Sequence, residues 1–223
     1  MVESGQTVGL GTGSTVHFTL VRLAERVAAE GLELRGLSTS VETETKARAL
    51  GVPLVTLDEV ERLDLTIDGA DEVDGDFQMI KGGGGALLRE KVVASISARE
   101  AIVVGRDKVV ERLGLGSLLP VEVVPFALPS VARALRALGC EPILRLREPA
   151  VAFLTDNANH ILDCRFADGI ADPRALEREL DAIPGVVESG LFIDLAHVLV
   201  IGSADGTCEV REKPGLEAPF TFP

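Results

Sequence analysis

Short apolar runs and helical stripes alternate along the first half of the chain. Thr7 to Leu10 reads as a strand that ends in a glycine-rich turn. Val16, Leu20, Leu23, Ala24 and Val27 then return at helical spacing until Gly31 stops the helix. Leu34 to Leu37 is the next strand, and a helix over about 42–50 ends at Gly51. Pro53 to Thr56 and Leu63 to Asp68 read as further strands. Ala86 to Ala98 reads as a helix entered from four glycines, with Leu88, Val92 and Ile96 as its buried stripe, and Ala101 to Val104 as another strand. Strands spaced by helices imply right-handed βαβ units around a parallel sheet, a Rossmann-like α/β layout.

The pattern changes at Leu119-Pro120. Val121 to Pro125 is a strand, and Pro129 opens a helix that Gly139 ends. Pro142 to Arg147 and His160 to Arg165 are strands. Asp172-Pro173 caps and starts a second helix, stopped before Pro184, and Val186 to Ile193 is a strand. The order β-α-β-β-α-β is the ferredoxin-like arrangement. Val198 to Gly202 then reads as a strand returning to the first sheet. The expected organisation is a Rossmann-like domain over 1–120 and 196–223, with a ferredoxin-like α+β domain inserted over 121–195.

Composition narrows the class. The chain has 223 residues, 46% hydrophobic and 26% charged, as a globular protein does, and disordered or low-complexity readings are excluded. No apolar run approaches the ~18 residues that cross a bilayer. The opening Met1-Val2-Glu3-Ser4-Gly5 lacks the basic and apolar regions of a secretory leader. A formal net charge of −13 argues against nucleic acid and anionic membranes as partners, because both are held by extended basic surfaces. Cys140, Cys164 and Cys208 stand far apart, and His17, His160 and His197 are equally dispersed. Neither a disulfide framework nor a metal site is expected, and reduced thiols point to the cytoplasm.

Four segments could carry chemistry at strand ends. Gly9-Leu10-Gly11-Thr12-Gly13-Ser14-Thr15 lies between a strand and a helix. Its glycines admit an anion close to the backbone, the helix start offers N–H groups, and Thr12, Ser14 and Thr15 add hydroxyls. Phosphate fits this turn. A simple capped turn and a dinucleotide site are the alternatives, and Ser14 at the sixth position of the fingerprint, with Leu37-Ser38-Thr39-Ser40 ending the second strand, disfavours the dinucleotide. In Ile67-Asp68-Gly69-Ala70-Asp71-Glu72, Asp68 and Asp71 stand at or just past the carboxyl end of a buried strand. They could hold hydroxyls, bind a cation or move protons, or simply form an acidic turn. Lys81-Gly82-Gly83-Gly84-Gly85 feeds the start of a helix, and four glycines are costly unless the backbone must pass close to something. Glu90, about 200° around that helix from Leu88, has no i±3 or i±4 cation, so it reads as a general base or a surface carboxylate. Lys108, in Gly105-Arg106-Asp107-Lys108, could meet a phosphate or lie in solvent. Asp156 to His160 reads as a polar turn before a strand.

The motifs become specific in combination. Gly-Leu-Gly-Thr-Gly-Ser-Thr, Ile-Asp-Gly-Ala-Asp-Glu, Lys-Gly-Gly-Gly-Gly-Ala-Leu-Leu-Arg-Glu-Lys, Pro-Val-Glu-Val-Val-Pro-Phe and Ile-Pro-Gly-Val-Val-Glu-Ser-Gly-Leu-Phe occur in that order. Together they closely resemble the type A ribose-5-phosphate isomerase family over nearly the whole chain. The resemblance implies cofactor-independent interconversion of D-ribose 5-phosphate and D-ribulose 5-phosphate in the pentose phosphate pathway. It implies a catalytic first domain, a second domain contributing to oligomerisation, and at least a homodimer, with a tetramer as the larger alternative. Carried over by position, it makes Thr12, Gly13, Ser14 and Thr15 the phosphate/substrate loop and Asp68, Gly69, Ala70 and Asp71 the substrate-binding aspartate turn. Lys81, Gly82, Gly83 and Gly84 become the lysine–glycine loop, Glu90 the general base and Lys108 a second substrate lysine. Asp68 and Lys81 join Glu90 in the expected catalytic set.

Two departures stand out. Family members usually carry a helix ahead of the first strand, whereas this sequence begins almost at the strand, so contacts from that helix are expected to be absent or replaced. A serine often precedes the second lysine, and Asp107 stands here, which weakens the expected phosphate role of Lys108. The competing enzyme classes are a CoA-transferase, for which the chain is short, and a sugar-phosphate deaminase. The competing binding module is a sugar-phosphate sensor, which would need a DNA-binding helix-turn-helix that has no spare segment here.

Overall fold

The computed structural model describes residues 1–215, and 216–223, the end of the expected 196–223 stretch, lies outside the described residues. In chain order the elements are β1 (Gln6–Leu10), α1 (Ser14–Glu30), β2 (Leu34–Ser38), α2 (Val41–Ala49), β3 (Leu65–Asp68), β4 (Glu72–Val73), β5 (Met79–Ile80), α3 (Leu87–Ser95) and β6 (Glu100–Gly105). There follow β7 (Leu119–Val123), α4 (Leu128–Ala137), β8 (Glu141–Leu144), β9 (Leu146–Glu148), β10 (Val151–Ala152), β11 (His160–Arg165) and α5 (Pro173–Asp181). The chain continues through β12 (Val186–Ser189), β13 (Leu191–Phe192), β14 (Val198–Gly202) and β15 (Cys208–Glu212). These elements form two compact units from interleaved segments. Among the described residues, the first takes Met1–Gly69, Arg89–Asp107 and 194–215, and the second takes Ala70–Leu88 and Lys108–Ile193.

The first unit is a six-stranded sheet in the order β15-β14-β6-β3-β1-β2. Its four pairings from β14 to β2 are parallel, and β15 adds antiparallel to β14. The returning strand Val198–Gly202 takes its place beside β6, as its apolar run leads one to expect. All four residues of β3 are buried, which fits a central parallel strand. Val16, Leu20 and Leu23 turn the apolar stripe of α1 onto the sheet, and Gly31 closes the helix in the left-handed conformation at φ 66°. Ser40 caps α2 by accepting from the N–H of Thr43 at 3.0 Å. Val8, Leu10, Leu20, Leu23, Leu65, Ile67, Ala101 and Val198 form the main core, while Leu37, Leu63 and Val93 pack on the opposite face.

The second unit carries a four-stranded antiparallel sheet in the order β12-β7-β11-β8. With α4 and α5 this is the ferredoxin-like order. Alternate residues Leu119, Val121 and Val123 of β7 meet Val131 and Leu135 of α4 and Leu180 of α5 in one core. A small sheet in the order β13-β5-β4 completes the unit.

Several element boundaries differ from expectation. Pro53 to Thr56 is not a strand. Gly36 bonds Pro53 and Val55 on either side, and Leu54 makes one isolated bridge. Pro53 has no N–H for a ladder, and the chain turns into a short 3-10 helix at Leu57–Glu59. The run Val186 to Ile193 breaks at Gly190, where a β-carbon would collide with the carbonyl oxygen of Lys81 and stand 3.1 Å from that of Pro120. The stripe of α3 is also shifted. Leu87, Glu90, Val93 and Ala94 are buried while Val92 is exposed, so Glu90 lies on the buried face.

Candidate functional site

In the first unit, β1 connects to β2 on one side and β3 stands on the other, so the strand order reverses between β1 and β3. In open α/β sheets, ligands bind outside the carboxyl ends of strands at such a reversal. The expected phosphate turn and Asp68 meet at this point. Gly11 donates to the carbonyl of Ile67 at 3.0 Å, and Asp68 Oδ1 accepts from the N–H of Thr12 at 3.1 Å and of Gly69 at 2.7 Å. Asp68 is 0% exposed. A β-carbon on Gly11 would overlap the Asp68 carboxylate and stand 2.7 Å from its Cα. Gly9 is equally confined, with Val93 Cγ1 of α3 at 2.8 Å from where its β-carbon would be.

A hydroxyl relay fixes the same turn. Thr12 Oγ1 donates to Ser40 Oγ at 2.8 Å, Ser40 to Thr43 Oγ1 at 3.1 Å, and Thr43 to the carbonyl of Gly11 at 2.9 Å. Thr39 Oγ1 lies 2.8 Å from Thr12 Oγ1 and donates to Leu10. The hydroxyl proton and N–H of Thr12 are thereby committed within the unit. Gly13, at φ 114°, hands the chain to α1, and Gly13, Ser14 and Thr15 remain exposed at a helix start that favours anions. Thr15 also borders a cavity of about 710 Å³ along the carboxyl ends of β6 and β14. Glu90, 5% exposed, stands in the first turn of α3.

In the second unit, Asp71 Oδ2 accepts from the N–H of Gly83 at 2.7 Å, and Asp71 N–H donates to Ile80 at 2.8 Å. The aspartate turn and the glycine loop are thus joined. Lys81 is 2% exposed, its N–H donates to Gly190 at 2.9 Å, and its Nζ lies 5.3 Å from the centroid of the Phe192 ring. Gly82 and Gly85 take φ 102° and 84°, which a side chain would strain. Asp71, Gly83, Ser117, Leu118, Arg145 and Asp163 line a cavity of about 330 Å³. Lys108 ends a short 3-10 helix and is half-buried.

Sequence reasoning missed the supports around these residues. Glu72, 2% exposed, accepts from the N–H groups of Gly114, Gly116 and Ser117 at 2.6, 2.8 and 2.5 Å. Arg145 and Asp163 pair beside the glycine loop. Glu122, fully buried, accepts from Thr155 at 2.8 Å and Asn159 at 2.9 Å, and so secures the polar turn before His160. Each support depends on strand pairings that only the fold reveals. No group of three or more His, Cys, Asp or Glu is placed to hold a metal among the described residues.

A parallel sheet with a glycine-rich turn and a buried aspartate at its reversal point, in one chain with a ferredoxin-like unit, fits an α/β enzyme for a small substrate. The family model for ribose 5-phosphate isomerase A (phosphoriboisomerase A) matches residues 35–206. The ribose-5-phosphate isomerase A of Roseiflexus sp. strain RS-1 is 52% identical over 94% of this chain and 90% of its own. That of Gloeobacter violaceus is 53% identical over 92% and 89%. The solved ribose 5-phosphate isomerase A of Methanocaldococcus jannaschii superposes with a TM-score of 0.90 at 38% identity, over 96% of this chain and 93% of that one. The chain belongs to the ribose 5-phosphate isomerase A family.

Proposed function

We propose that this protein interconverts D-ribose 5-phosphate and D-ribulose 5-phosphate through an enediolate. The carrying observation is Glu90, a carboxylate buried in the first helical turn after a four-glycine loop, in a chain of this family. In the forward direction the Glu90 carboxylate takes the proton from C2. The C–H electron pair forms the C1=C2 bond, and the carbonyl pair moves onto O1, giving the enediolate, whose O1 takes up the proton that O2 releases. O2 then loses its hydroxyl proton as the C2 carbonyl forms, and Glu90 returns a proton to C1. Lys81 and the N–H groups of the glycine loop at Gly82 and Gly84 stabilise the enediolate oxygens, while Gly83 fastens the loop to Asp71. Asp68, Asp71 and the Gly69-Ala70 peptides orient hydroxyls and assist ring opening. Ser14, Thr15 and the start of α1 anchor the phosphate, with Thr12 and Gly13 shaping the turn and Lys108 as a second cation.

A related solved D-ribose-5-phosphate isomerase is in complex with phospho-erythronic acid. The carboxylate of that acid is planar and anionic, as an enediolate is, which supports this reading. No cofactor or metal enters the proposal. No described helix is long and apolar enough to cross a membrane. A cytoplasmic homodimer, assembled with help from the ferredoxin-like domain, completes the reading. Ribose 5-phosphate in D₂O is the test. Ribulose 5-phosphate should appear with deuterium at the exchanging carbon, whereas binding without either change would leave a sensor.

A further inference from the structure

Arg145, between β8 and β9, reaches the glycine loop with directed contacts. Its Nε and Nη2 take the two oxygens of Asp163 at 2.9 and 2.5 Å. Its Nη1 donates to the carbonyls of Gly82 at 2.9 Å and Gly83 at 3.1 Å. The guanidinium carbon stands 5.8 Å from the centroid of the Phe153 ring. The same ring lies against Gly85, where a β-carbon would come within 2.6 Å of its Cε1. The Arg145 and Asp163 side chains are 15% and 16% exposed, so the pair is shielded from much of the solvent.

A peptide plane points its carbonyl and the following N–H in opposite directions. Gly82 C=O faces Arg145, and Gly83 N–H accordingly points the other way, onto Asp71. Gly83 C=O also faces Arg145, which turns Gly84 N–H away from the guanidinium. Glycine peptides adopt many orientations at low cost, so the direction of these donors has to be set from outside the loop. A planar fork with its charge matched by Asp163 sets two successive peptides at once, which a lysine cannot do.

We propose that Arg145, held by Asp163, is a positioning residue for the isomerisation, orienting the Gly82 and Gly83 peptides so that the N–H of Gly83 holds Asp71 and the N–H of Gly84 serves the enediolate oxygens. The proposal rests on the isomerase reading above. Its test compares Arg145→Ala, Arg145→Lys and Asp163→Asn with the wild type, by steady-state kinetics and by amide hydrogen exchange over residues 81–86. Arg145→Ala should lower kcat about 10–100-fold, less than outright loss of an oxyanion donor, with KM within about threefold. Exchange in the loop should quicken at least about tenfold. Arg145→Lys should recover only part of kcat, and guanidinium ion added to the alanine variant should raise it. Turnover within twofold of wild type, a loss confined to KM, or unchanged loop exchange would each overturn the proposal. Should Arg145→Ala not fold, the lysine and Asp163→Asn variants carry the same comparison. A wild-type protein that fails to isomerise ribose 5-phosphate sinks the isomerase reading instead, while the exchange comparison still decides whether Arg145 orders the loop.

Discussion

Gly11 lies directly against Asp68, with no space for a β-carbon between its backbone and the carboxylate. The same carboxylate takes the N–H of Thr12, so one buried charge orders the turn after β1 and is itself held by that turn. Gly11→Ala should therefore cost about 1–3 kcal/mol in stability, because the β-carbon meets Asp68 Cα as well as its side chain. Turnover should fall further than stability alone explains. Thermal unfolding and kinetics on one preparation check this, and an alanine variant with wild-type kinetics would show the turn to be compliant.

Glu90→Gln keeps the size of the side chain and removes its basicity. Turnover should slow by about 10²–10⁴ with the fold retained. Single-turnover kinetics beside circular dichroism separate the two. Retained wild-type turnover would remove Glu90 from the role of base.

Glu72→Ala should destabilise the protein by about 2–4 kcal/mol, since three N–H groups of the Gly114–Ser117 turn lose one charged acceptor. Glu72→Gln, which keeps an acceptor oxygen, should cost less. Chemical denaturation of both variants gives the comparison.

The three cysteines should separate by reactivity. Cys208 is exposed, whereas Cys140 and Cys164 are buried. The contact with Cys140, together with burial, pushes the Cys164 thiol well above its usual range, so it stays protonated and unreactive at neutral pH. A thiol reagent should modify one cysteine rapidly in the native protein and the other two only on unfolding.

Exhaustive chelation should leave turnover unchanged. A strict requirement for added divalent metal would recast the aspartates as ligands and remove Lys81 from the centre of charge stabilisation.

The first sheet was legible because strand and helix periods alternate cleanly from Thr7 to Val104, and the returning run Val198–Gly202 is apolar throughout. The ferredoxin-like order was legible because Pro129, Gly139 and Asp172-Pro173 punctuate its helices. The phase of α3 was not, since Leu87, Leu88, Val92 and Val93 offer apolar choices on more than one side of the helix. The hydroxyl relay was hidden for another reason. Thr39, Ser40 and Thr43 reach Thr12 only once β1 pairs with β2 in register, Leu10 beside Ser38. Arg145 likewise finds Asp163 diagonally across the β8–β11 pairing, in which Asp163 stands opposite Ile143. β15 carries alternating residues at the outer edge of the sheet, a pattern too short and polar to stand out.

The place of β14 governs the order in which this protein can be made. β14 separates β6 from β15 and comes from the last part of the chain. On the ribosome, β6 has to wait as an open edge, its backbone N–H and C=O groups on that side unpaired, until the chain through Gly202 has been translated. A nascent or truncated polypeptide ending before Val198 therefore presents an unpaired apolar strand, primed to capture a strand from another molecule rather than its own.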